Sequence, residues 1–74
     1  MKYKYNPQHL KDLRQSERIG QKRLADLLDV SIRHLSRFEN GDCKLTHQMI
    51  IKYSEVFNDF DITKLYIKEN DDNE

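Results

Sequence analysis

Apolar residues in this chain recur at helical spacing in short stretches, and each stretch is closed within a few turns by residues that end a helix. Asn6 and Pro7 open the first as N-cap and first helical residue, a position where the missing proline N–H costs nothing. The spacing predicts a helix from about Pro7 to Glu17, with Leu10 and Leu13 inward and Lys11, Asp12 and Arg14 elsewhere. Beyond Gly20, Leu24, Ala25, Leu27 and Leu28 form a second stripe, which predicts a helix over about Gln21 to Leu28. Asp29, Val30 and Ser31 interrupt it, and Ser31 can cap a third helix, about Ile32 to Glu39, carrying Leu35 and Phe38. Asn40, Gly41 and Asp42 end that helix, because Asn and Gly tolerate the left-handed conformation. Thr46 caps a fourth, with Met49, Ile50, Tyr53 and Phe57 on one face and an end near Asn58. Asp61 caps a last one, with Ile62, Leu65 and Tyr66 inward.

Short helices of this kind must share one core, and 74 residues are enough for one core only. The expected fold class is therefore all-α, five helices in one body. The expected core is Leu10, Leu13, Leu24, Ala25, Leu28, Val30, Leu35, Phe38, Leu45, Ile50, Tyr53, Phe57, Phe60, Ile62 and Leu65. Lys2 to Tyr5 alternate polar and aromatic, but the run is too short to make a sheet within this chain, so residues 1–5 read as an N-terminal arm. Residues 6–68 form the domain, and residues 69–74 an acidic tail too polar to stay ordered.

Several functions lack their chemistry. Cys43 is the sole cysteine, so neither an internal disulfide nor a cysteine-based zinc site can form, and it reads as an incidental loop residue. His9, His34 and His47 show no pair at metal-ligand spacing on one helical face, and no metal or other cofactor is expected. No paired carboxylates, nucleophile with a base, or phosphate-cradling glycine loop points to an enzyme. No run suits a membrane span or a secretion signal, so the expected location is cytoplasmic, and no small-molecule ligand is evident.

Charge is informative once divided. Net charge is zero, yet residues 1–53 carry eleven basic and six acidic groups, while residues 54–74 carry two basic and seven acidic. One part can face phosphates while the other points away. Gln21 to Gly41 carries the matching geometry: a helix of about two turns, a three-residue turn and a second helix, which is a helix-turn-helix pattern. Ala25 allows close crossing, Val30 plugs the turn, and Leu35 and Phe38 pin the second helix, leaving Ile32, Arg33, His34, Ser36 and Arg37 outside.

With Gln21, Leu24-Ala25, Leu28, Val30-Ser31, Leu35-Ser36 and above all Phe38-Glu39-Asn40-Gly41, the chain resembles the lambda-repressor-like (Xre/Cro-type) family over roughly Leu10 to Leu65. The resemblance implies a third helix in the DNA major groove, with Ile32, Arg33 and Arg37 as base readers and His34 and Ser36 as marginal ones. It also implies phosphate contacts from Gln21, Asn40 and Lys44, together with Lys22 and His47. Elementary chemistry agrees, since helix N-termini attract phosphates and Arg forks match guanine. The sequence departs from the family pattern at Gly20, where Ser or Thr is usual, and at Leu45, where Pro is frequent. The connection Asn58 to Asp61 is about one residue longer than usual.

A plainer reading makes Arg33 and Arg37 a solvated stripe, but no acidic residue lies on their face, since Glu39 falls on another side. The expected partners are double-stranded DNA and a second copy of the chain, with Tyr66, Ile62 and Leu65 of the last helix as dimer contacts. The expected function is a dimeric transcriptional regulator, a repressor by preference, acting on an inverted repeat. A restriction-modification controller or the antitoxin partner of a toxin would use the same domain. The alternative from another class is a protein-interaction module that keeps the fold.

Overall fold

A computed structural model of the chain describes residues 2–69. Its five helices are α1 (Gln8–Ser16), α2 (Gln21–Leu28), α3 (Ile32–Asn40), α4 (His47–Val56) and α5 (Ile62–Leu65). Two three-residue strands, β1 (Tyr3–Tyr5) and β2 (Tyr66–Lys68), join them.

The first three helices stop in the same way. At each end two backbone N–H groups fold back on the last turn: Arg18 to Gln15 and Ile19 to Arg14, Asp29 to Asp26 and Val30 to Ala25, Gly41 to Phe38 and Asp42 to Arg37. This double closure needs one left-handed residue, and Arg18 (φ 56°), Asp29 (φ 59°) and Gly41 (φ 84°) supply it. Gly41 adopts that conformation without a steric penalty, whereas Arg18 carries its Cβ into it. Arg18→Gly is therefore expected to raise stability by up to about 1 kcal/mol, and Gly41→Ala to lower it by about 1–2 kcal/mol. Opposite shifts in melting temperature would show both effects.

Helix starts follow the expected caps in three cases. The Ser31 hydroxyl accepts from the His34 N–H at 3.0 Å, and the Thr46 hydroxyl accepts from the Met49 N–H at 3.2 Å. The Asp61 carboxylate accepts from the Thr63 N–H at 2.9 Å. Asn6 does not cap α1. Pro7 occupies the N-cap position, and Asn6 instead donates through its side chain to the Lys64 carbonyl and through its backbone to the Leu65 carbonyl.

Those two bonds belong to the feature that the sequence reading excluded. β1 and β2 pair antiparallel, Tyr3 with Lys68, Lys4 with Ile67 and Tyr5 with Tyr66. The Tyr5 and Tyr66 rings meet at 5.5 Å. The alternation of residues 2–5 finds its partner more than sixty residues away, in the segment expected to extend the last helix. Tyr66 thus lies in a strand, and α5 is a single turn. Of the acidic tail, residues 70–74 lie outside the described residues.

The core holds Leu10 and Leu13 from α1, Leu24, Ala25 and Leu28 from α2, and Leu35 and Phe38 from α3, with Leu45, Met49, Tyr53, Phe57 and Leu65. Val30, Ile50 and Phe60 are only half-buried, Met49 replaces Ile50 inside, and Ile62 is 44% exposed because a one-turn helix can bury a single side. α4 ends at Val56, two residues before Asn58, as Phe57 turns extended to enter the core. At the centre, Tyr53 packs beside Phe57 and Phe60, and its hydroxyl has no hydrogen-bond partner among the described residues. Burial first, and the Glu39 charge second, push its ionisation well above the usual phenol range. Tyr53→Phe should accordingly leave stability unchanged or raise it by about 1 kcal/mol, measurable as the urea midpoint.

Candidate nucleic-acid interface

The turn between α2 and α3 is fixed from several sides. The paired closure at Asp29 and Val30 sets its backbone, and Ala25 is buried in the α2 face that packs on α3. Lys52 reaches from α4 to donate to the Leu28 carbonyl at 3.2 Å, so a cation sits on the negative end of α2. Gly20 starts α2 in an extended conformation and offers no side-chain cap, in keeping with its departure from the family pattern.

α3 divides cleanly by face. Leu35, Phe38 and Glu39 are buried, while Ile32, Arg33, His34 and Arg37 are exposed and Ser36 is half-buried. Ile32, 45% exposed, puts an apolar side chain in the first turn of this face. Neither the Arg33 nor the Arg37 guanidinium has a hydrogen-bond or ion-pair partner among the described residues. The His34 ring stacks on Phe38 with centroids 4.5 Å apart, which turns it toward the body of the domain. Ser36 accepts from the Asn40 side-chain amide at 3.3 Å. Two of the five expected base-reading positions are thus engaged with their own helix.

The expected phosphate contacts fall at helix ends and in the following loop. Lys22 is exposed in the first turn of α2, Lys44 in the loop after α3 and His47 at the start of α4. Asn40 is the last residue of α3 rather than the first beyond it, and it is exposed. Gln21 is half-buried, because its amide donates to Glu39 Oε1 at 3.2 Å.

Glu39 is the feature that the sequence reading missed. It is 1% exposed and accepts Arg14 Nε at 2.8 Å and Arg14 Nη2 at 3.1 Å in a two-pronged bond, with Gln21 as third donor. Arg14 also donates to the Ile19 carbonyl at 3.1 Å. α1, α2 and α3 are thereby joined through one carboxylate, which holds Gln21 at the head of α2 and immediately precedes Asn40. Arg14 had been placed off the inner face; it borders Leu13, and its guanidinium turns inward. Arg14 is consequently occupied inside the domain, its charge matched by Glu39.

Among the described residues no group of three or more His, Cys, Asp or Glu is arranged to hold a metal ion. No helix there is long and apolar enough to cross a membrane. Cys43 is half-buried against the core. Beside the sheet and α5, Tyr3, Ile62, Thr63, Tyr66 and Lys68 line a largely apolar groove of about 490 Å³.

A family model described as helix-turn-helix matches residues 10–65, the span over which the resemblance runs. No curated protein and no solved structure matches the chain.

Proposed function

The chain belongs to the lambda-repressor-like (Xre/Cro-type) helix-turn-helix family and is a DNA-binding protein of that family, and from this premise we propose that it represses transcription as a homodimer on an inverted-repeat operator. The observation that carries the reading is the pair Arg33 and Arg37. They lie four residues apart on the open face of α3 with no partner among the described residues, while the nearby acid Glu39 is held inside. Each guanidinium suits the O6 and N7 acceptors of a guanine, and Ile32 suits a thymine methyl. Gln21 and Asn40, with Lys22, Lys44 and His47, hold the phosphates on either side.

The dimer is supported by the groove beside α5, where Ile62 and Tyr3 remain exposed, and by the small amount of sequence that one helix can read. Two copies would present their third helices about 34–36 Å apart, one turn of DNA. Sedimentation with saturating operator DNA should show two copies per site, and a footprint confined to one half-site would count against the arrangement.

The reading is tested on an operator selected from a random duplex pool. Arg33→Ala and Arg37→Ala should each cost about 1–3 kcal/mol per half-site of the operator and relax preference at one base pair in each, with a smaller loss on random DNA. Gln21→Ala and Asn40→Ala should weaken both DNAs more evenly. Folding is measured first, because Gln21 bonds Glu39 and Asn40 precedes the Gly41 closure. If folded Arg33→Ala and Arg37→Ala proteins both keep full operator preference, α3 does not read the bases and the face serves another partner.

A further inference from the structure

His9, in the first turn of α1, is 6% exposed. Its Nε2 lies 3.1 Å from the backbone nitrogen of Asp61. A backbone N–H can only donate, so Nε2 carries the lone pair and the ring proton resides on Nδ1. The imidazole also lies against the Phe60 ring at 5.7 Å. Asp61 in turn caps α5, and α5 runs directly into β2, which pairs with β1. A neutral imidazole therefore ties α1 to the unit formed by α5 and the sheet.

We propose that His9 is a proton-operated latch, which holds α5 and the two strands onto α1 when neutral and releases them when protonated. An imidazolium has two N–H donors and no acceptor, so protonation sets donor against donor at Asp61 and strands a charge in a buried site. The charged groups facing the ring are Asp12 on α1, Asp61 in the connection and Lys64 on α5. Burial first, then Lys64, disfavours the charged ring, while the two carboxylates favour it, and the balance lies below the ordinary histidine value of 6.5. The folded state thus binds the proton more weakly than the unfolded chain. Its contribution is fully present above pH 6.5 and is lost as pH falls below that value, by up to about tenfold in the opening equilibrium per pH unit. Asp61 does not produce this effect, since its hydrogen bonds from Thr63 hold its carboxyl below the usual carboxylate range.

The test uses the labelled full chain without DNA, so its outcome is independent of the operator reading. Nuclear magnetic resonance between pH 7.5 and 5 follows the three histidine rings and the exchange protection factors of the Asp61 and Glu69 amides, the latter bonded to the Lys2 carbonyl across the sheet. The His9 ring should titrate below the ordinary histidine value of 6.5, and protection at both amides should fall as it does. His9→Gln, whose carbonyl can accept but does not titrate here, should keep protection flat. Two results overturn the latch: His9 titrating at or above 6.5 while Asp61 protection stays constant, or His9→Gln losing protection as the natural chain does. If His9→Gln does not fold, the ring titration and Asp61 protection of the natural chain decide the matter alone.

Discussion

Replacing Arg14 by methionine is expected to remove about 3–5 kcal/mol of stability, because it leaves the Glu39 carboxylate buried without its counter-charge. Glu39 is 1% exposed and Arg14 16%, so little water can enter to screen the loss, and Gln21 alone would remain as a donor. Domains of this size have about 5–15 kcal/mol in total, so the variant should melt more than about 10 °C lower and be partly unfolded at physiological temperature. The pair itself is a different matter. Removing two charges from water costs nearly what their attraction returns, so Arg14→Met with Glu39→Leu should recover most of the lost stability. Urea midpoints for the natural chain, both single variants and the double variant measure the coupling, and a double variant no more stable than Arg14→Met would refute it. If Gln21 contacts phosphate, the refolded double variant should still bind operator and random DNA more weakly than the natural chain, because Glu39 no longer orients its amide.

Raising salt from about 50 to 200 mM is expected to weaken DNA binding a thousand- to a hundred-thousand-fold if a dimer neutralises about six to ten phosphates. The slope of log affinity against log salt should then lie near −5 to −9. The chain's zero net charge does not argue against this, since its basic excess lies in residues 1–53 and its acidic excess in residues 54–74. Local charge at the phosphates governs counterion release. Arg14 adds nothing to the slope, its charge being matched by Glu39, whereas Lys22→Ala and Lys44→Ala should each flatten it by about 2, one phosphate contact from each subunit. A slope near zero would leave contact with another protein as the use of this face.

Interactions between neighbours along the chain are readable from the residues alone. The bounds of α2, the start of α3, the caps Ser31, Thr46 and Asp61, and the Gly41 stop all follow from interactions spanning a few residues. The open face of α3 follows as well, since burying Leu35 and Phe38 forces Arg33 and Arg37 outward on a helix. Groups that could be satisfied in more than one way are settled by long-range packing instead. Asn6 has the chemistry of a cap, but its amide meets the Lys64 carbonyl, 58 residues away. Tyr3 to Tyr5 form a strand because Tyr66 to Lys68 follow directly on a single-turn helix and lie alongside them. Arg14, Glu39 and His9 are polar residues bordering apolar faces, and sequence spacing cannot say whether such a side chain turns to water or inward. The partner that settles each comes from another helix or connection, and a buried charge or lone pair persists only where that partner is already in place.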